Sequence, residues 1–198
     1  MLIYFIRHGQ TDWNKALRWQ GVSDVPLNNT GLDQARLIKE YFVNQAITPS
    51  AVISSPLQRA FKTAQIIASG FDQKVIPEPA FRELNLGEFE GKTTDELHTE
   101  YGERFQTWLD KHHTEASPAG ESLAQAITRM QATLLQHINT YSGPLLIVAH
   151  QAILIAMKSA LSQEVSFKTL ATYKQANFEV DLWDTQISEI VTRIDVRN

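Results

Sequence analysis

A chain of 198 residues, 43% hydrophobic and 20% charged, can build one substantial core with room for an insertion but is short for two ordinary domains, so residues 1–198 are read as a single domain. Its formal charge of −4 excludes a general nucleic-acid binder, which needs a basic surface to release phosphate counterions; any phosphate site must be a local patch of positive charge. The absence of cysteine excludes disulfides, thiolate metal centres and a cysteine nucleophile.

The chain opens with "LIYFI" at 2–6, a short apolar run with no basic segment before it. It is too short for a signal-peptide core or a membrane span, so a cytoplasmic protein with no membrane partner is expected. "RHG" follows at once, placing Arg7 and His8 at the end of the first predicted strand. From Thr30, read as an N-cap, Leu32, Ala35, Ile38 and Phe42 share one helical stripe. "AVISS" at 51–55 reads as a second strand, and "SSPLQRAFKTAQIIA" as a helix capped by Ser55 with Pro56 at its first position. A long, mostly helical excursion runs from about 92 to 143, its clearest helix carrying Leu123, Ile127, Met130, Leu134, Ile138 and Tyr141 on one face. "LLIVA" at 145–149 predicts a third strand, ending in His150; "FEVDLW" and "ISEIVTRIDV", joined by "DTQ", predict a hairpin at a sheet edge.

Continuous apolar strands alternating with helices imply an α/β fold: a three-layer α/β/α sandwich with a mostly parallel central sheet, an antiparallel edge strand and a helical excursion over the active site. In that architecture ligands sit at the carboxyl ends of the strands. Arg7, His8 and His150 lie at such ends, and Arg59 falls in the first turn of a helix, where the macrodipole disfavours a cation. Crowded together these groups repel one another unless something anionic lies among them, and a phosphate dianion accepts forked hydrogen bonds from both guanidiniums. Phosphoryl transfer then needs an in-line nucleophile, and a histidine with an unperturbed pKa of roughly 6.5 is mostly neutral at pH 7. His8 and His150 are both candidates. Glu83, in "FRELNLGEFEG", is the candidate acid for the leaving oxygen, and pairing with Arg82 or another cation is the plainer alternative for it.

Taken in order, "IRHGQTDWN", "QGVSDVPLNNTG", "SSPLQRAFKTA", "RELNLGEFEG", "GES" and "VAH" resemble the histidine phosphatase superfamily, in the branch related to cofactor-dependent phosphoglycerate mutases. The resemblance implies that His8 is the nucleophile that becomes phosphohistidine, that Arg7, Arg59 and His150 form a phosphate clamp, and that Glu83 is the proton donor. It also implies a phosphate contact at Asn14 and a substrate loop at Gln20 and Gly21. No metal and no cofactor are implied, save a 2,3-bisphosphoglycerate primer if the chain is a mutase.

Departures from the pattern carry information. Relatives often follow the second histidine with glycine; here Gln151 stands there, and its side chain could narrow the site or reach the substrate. Mutases of the family carry a tyrosine and a lysine where this chain has Leu86 and Thr94, and an Arg-Arg pair that this chain lacks. Hydrolysis of a small phosphorylated metabolite is therefore expected, with phosphoglycerate mutase activity as one alternative and a catalytically weak phospho-ligand binding protein as another. The oligomeric state is not legible. "GKT" at 91–93 is no P-loop, because Leu86, Glu88 and Glu90 stand where glycine and a neutral cradle are needed. "KHH" at 111–113 reads as a solvated helix end, and Phe105 and Trp108 as packing residues before pocket residues.

Overall fold

The structure, a computed structural model, describes residues 1–111, 113–163 and 172–197. Six strands form one sheet: β1 (Leu2–Arg7), β2 (Ala51–Ser54), β3 (Val75–Pro77), β4 (Leu145–Ala149), β5 (Glu179–Asp184) and β6 (Glu189–Asp195), in the order β3-β2-β4-β1-β5-β6. The first four run parallel, and β5 and β6 form the antiparallel edge hairpin expected from their alternation. β3 has no counterpart in the sequence reading: its two apolar residues before Pro77 are too few to show a period, and it forms because Val52 and Ile53 offer it a parallel neighbour.

The inner strands β1, β2 and β4 are almost continuously apolar because both of their faces are covered. Ile3 and Phe5 of β1 face one layer while Tyr4 and Ile6 face the other, following the two-residue strand period. On the Tyr4 side lie α2 (Asn29–Asn44) and α3 (Gln58–Ala68), which bury Ile38, Phe42, Ala60, Ala64 and Ile67. On the Phe5 side lie α6 (Leu123–Thr140) and α7 (Gln151–Ser162), which bury Leu123, Met130, Leu134, Ile153 and Leu154. β1 and β4 are neighbours whose following helices leave for opposite faces, so a crevice opens between their carboxyl ends. A one-turn helix, α1 (Asp12–Lys15), closes the β1 loop.

Two helix starts differ from expectation. The cap of α2 is Asn28, whose side chain accepts from Gly31 N, so Thr30 lies inside the helix. α3 begins at Gln58 with Leu57 at its N-cap, whose side chain carries no acceptor, while the Ser55 hydroxyl accepts from Leu57 N and meets His150 Nε2. The excursion divides in two. α6 joins the layer over the sheet, whereas α4 (Thr94–Tyr101) and α5 (Glu103–Lys111) bury Phe105 and Trp108 against Trp19 and Phe89, the packing role read for them. Within "KHH", His112 lies outside the described residues. No helix among the described residues is long and apolar enough to cross a membrane.

The β1 loop rests on α2 with almost no space between backbones. A Cβ on Gly31 would lie 2.1 Å from the Gln10 carbonyl oxygen. Gly31→Ala is therefore expected to lower stability by about 3 kcal/mol, read as an earlier urea midpoint at unchanged m-value.

Candidate active site

At the crevice between β1 and β4 the chain brings together Arg7, His8, Arg59, Glu83, His150 and Gln151. His8 is buried, and its ring centroid stands 5.1 Å from that of His150. Its Nδ1 lies 2.7 Å from the Gly9 carbonyl oxygen, which can only accept, so the ring proton sits on Nδ1 and Nε2 carries the lone pair. Gly9 N donates to Thr63 Oγ1 at 3.0 Å, and Asn177 Nδ2 donates to the His8 carbonyl at 2.6 Å, so the backbone on either side of the imidazole is tied down.

His150 is fully buried, with Nε2 2.7 Å from Ser55 Oγ. The same hydroxyl accepts from Leu57 N at 3.3 Å and keeps its proton and a second lone pair for Nε2, so either ring tautomer satisfies the contact. Among the described residues His150 Nδ1 has no hydrogen-bond partner, and neither do Arg7 Nε, Arg59 Nε and Gln151 Nε2, all of them buried. Four buried polar atoms on four neighbouring site residues mark a place built for an acceptor-rich guest.

Arg59 is fully buried in the first turn of α3, as expected, and its guanidinium meets carbonyls: Nη1 donates to Ser23 and Nη2 to Gly21, each at 2.7 Å. Those carbonyls are held by Glu90, whose carboxylate accepts from Val22 N and Ser23 N, both at 2.9 Å, and from Ser23 Oγ and Leu86 N. Gly21 has φ +52, and a Cβ there would lie 2.1 Å from Glu90 Oε1, so the loop can approach the carboxylate only as glycine.

Glu83 is brought in by a loop that Arg129 of α6 holds through the carbonyls of Ala80 and Arg82. Its Oε1 accepts from Leu84 N at 2.9 Å and Ile153 N at 3.2 Å, and its Oε2 from Ala152 N at 3.3 Å, so it meets the N-terminus of α7 and makes no ion pair with Arg82. Burial pushes its pKa up, and these backbone donors together with Arg59 and Arg7 pull the other way without reversing the shift. Arg7 Nη1 donates at 3.1 Å both to Gln151 Oε1 and to the Gln175 carbonyl. Gln151 thus turns its oxygen toward the arginine.

Asn14 and Gln20 gather around Thr11. Asn14 Oδ1 accepts from Thr11 N at 3.1 Å, and Gln20 Oε1 accepts from Thr11 Oγ1 at 3.0 Å. In both amides the oxygen is bound within the protein. Ser55, Thr63, Glu90, Gln175 and Asn177 were missing from the sequence reading as site residues. Glu90 carried a signal in its motif, while Gln175 and Asn177 come from an ordinary polar stretch ahead of β5.

Both histidines are held well below the ordinary value, first by burial and then by Arg59, with Arg7 also contributing. In the unfolded chain they return to about 6.5, so as pH falls the unfolded state binds protons first and stability is lost from about pH 6.5 downward. The expected result is a melting temperature that falls between about pH 7 and 5.5, with a shallower slope in His150→Asn, measured by calorimetry.

A sequence model described as the histidine phosphatase superfamily, branch 1, matches residues 3–190. The chain is 38% identical to a probable phosphoglycerate mutase of Photorhabdus laumondii over 147 residues, 73% of this chain and 67% of that one. It is 37% identical to a counterpart in Yersinia pestis over 161 residues, 80% of this chain and 74% of that one. Among solved structures it is similar to a mycobacterial glucosyl-3-phosphoglycerate phosphatase in complex with VO3, with TM-score 0.84 and 25% identity over 92% of each chain. Bacillus stearothermophilus YhfR matches at TM-score 0.83 and 26% identity, over 92% of this chain and 90% of that one.

Proposed function

The chain belongs to the histidine phosphatase superfamily, and from that membership and the site's geometry we propose that it hydrolyses small phosphomonoesters, without a metal, through a phosphohistidine at His8. The observation that carries the reading is the tautomer of His8: its proton is committed to the Gly9 carbonyl, and Nε2 is a neutral, unprotonated nucleophile. In the first step the Nε2 lone pair forms a bond to phosphorus as the ester P–O bond breaks. The leaving oxygen takes the proton of Glu83, carried on Oε2, the oxygen with the weaker backbone bond. Arg7, Arg59 and His150 Nδ1 direct their donors at the equatorial oxygens, which supplies the charge a metal would otherwise bring. In the second step Glu83 takes a proton from water, whose oxygen attacks phosphorus and releases His8. Asn14 Nδ2, Gln20, Gly21 and Gln151 line the approach as substrate contacts, and a cytoplasmic site of action belongs to the same proposal.

The names of the 37–38% identical relatives favour a phosphoglycerate mutase as the second reading, which would need a 2,3-bisphosphoglycerate primer. Against it, Leu86 is buried in the core and Thr94 begins α4 with its hydroxyl bonded to Trp19 Nε1. Neither offers a charge to a second phosphate.

The test is phosphate release from a panel of phosphorylated metabolites with EDTA present. Turnover that survives EDTA is the expected result. Release only of interconverted phosphoglycerate in the presence of primer would replace the phosphatase with the mutase, and tight ester binding with no turnover would replace both with a binding protein.

A further inference from the structure

Lys158 is a fully buried cation on α7 outside the catalytic set. Its Nζ donates to the Asp181 carboxylate, to Gln175 Oε1 at 3.1 Å and to the Tyr173 carbonyl at 3.4 Å, so all three ammonium donors are used. Asp181 on β5 is also fully buried and accepts from Arg193 Nε at 2.6 Å and Nη2 at 2.9 Å. Gln175 is the joint between this ion cluster and the site. Its Nε2 donates to the carbonyls of Phe5 and Glu179, each at 2.7 Å, and its oxygen faces Lys158, so the amide has one orientation. Its backbone does the rest: the carbonyl accepts from Arg7 Nη1, and N–H donates at 3.3 Å to Gln151 Oε1, the second acceptor of the same Nη1.

We propose that Lys158, acting through Gln175, is a positioning residue that fixes the Arg7 guanidinium for phosphoryl transfer. The inference rests on the phosphatase reading for its chemical consequence. A buried ion pair is a poor source of stability, because apolar residues of similar volume often do as well. What the lysine provides that an apolar residue lacks is a donor for Gln175. Among the described residues Arg7 is hydrogen-bonded only to neutral oxygens, which bind a guanidinium more weakly than a carboxylate would and leave its charge for the substrate. Its placement therefore depends on where those two oxygens stand. Burial pulls the Lys158 pKa down to about 8 against the opposing pull of Asp181, so the ammonium and its donors persist at pH 7.

The experiment is a double-mutant cycle of Lys158→Met and Arg7→Ala, read in kcat/KM, together with the NMR signal of the Arg7 Nε–H, assigned by its absence in Arg7→Ala. If Lys158 acts through Arg7, Lys158→Met lowers kcat/KM about tenfold in the otherwise wild-type enzyme and less than about twofold beside Arg7→Ala. The Arg7 signal should then shift and broaden in Lys158→Met. An equal loss in both backgrounds, no loss at all, or an unchanged Arg7 signal overturns the proposal. If Lys158→Met does not fold, the same cycle with Lys158→Gln decides it by the same criteria. Absence of turnover in the wild type would defeat the phosphatase reading alone, because the Arg7 signal still reports whether Lys158 orders the guanidinium.

Discussion

His8→Ala is expected to lower kcat by a factor of about 10⁴ or more, with the fold intact and no phosphoenzyme trapped on an alkaline denaturing quench, in which a phosphohistidine survives. The size follows from what the substitution removes. Arg7, Arg59 and His150 can still gather a phosphate, but among the described residues no other group at the crevice presents an unprotonated nitrogen held in place from both sides. His150 does not substitute, because its Nε2 is bonded to Ser55 Oγ. The reciprocal substitution separates the two roles. His150→Ala removes a donor and should leave a phosphoenzyme that forms slowly, so a trapped phosphohistidine in His150→Ala but not in His8→Ala identifies the nucleophile. Normal turnover by His8→Ala would refute the mechanism.

Glu83→Gln should lower kcat/KM, which reports the phosphorylation step, by about 10²–10⁴-fold for sugar-phosphate esters and only a few-fold for p-nitrophenyl phosphate, because an activated phenolate leaves without a proton and an alkoxide does not. The same substitution should raise the melting temperature at neutral pH. Burial holds the folded pKa of Glu83 above its unfolded value, so the folded state binds the proton more tightly and stability falls as pH rises through that range. Glutamine is neutral at every pH and escapes this loss. A variant that is slower and more stable marks a site where stability has been given up for chemistry. If sugar-phosphate turnover were untouched, Glu83 would have to be reassigned to holding the start of α7, where its oxygens already accept from Ala152 N and Ile153 N.

Much of this protein is legible in local patterns. Strands covered on both faces must be continuously apolar, as β1 and β4 are, and an amphipathic helix must repeat its stripe, as α2 and α6 do. Arg7, His8 and His150 were recognisable because each polar group directly follows such a strand, where the α/β architecture collects ligand-binding residues. β3 was not recognisable, because three residues carry no period and its pairing with β2 supplies the reason for its conformation. The caps at Thr30 and Ser55 were misplaced for a related reason. A hydroxyl or amide near a helix start can serve as a cap or bind elsewhere: Asn28 takes the first cap, and α3 starts late enough to put Leu57 at its cap, leaving the Ser55 hydroxyl to Leu57 N and His150.

The inner wiring of the site lies beyond any local pattern. Gln175 reaches Arg7 and Lys158 through backbone and amide groups that every glutamine has, and Asn177 holds the His8 carbonyl from 169 residues away. Composition and periodicity specify which segments become strands and helices, and the motifs name the reactive groups, because apolar burial and charge are properties of the residues themselves. Which proton sits on which nitrogen, which oxygens orient Arg7 and how far Glu83 is pushed toward its neutral form arise when distant segments close around them, because hydrogen bonds and desolvation are properties of neighbours in space.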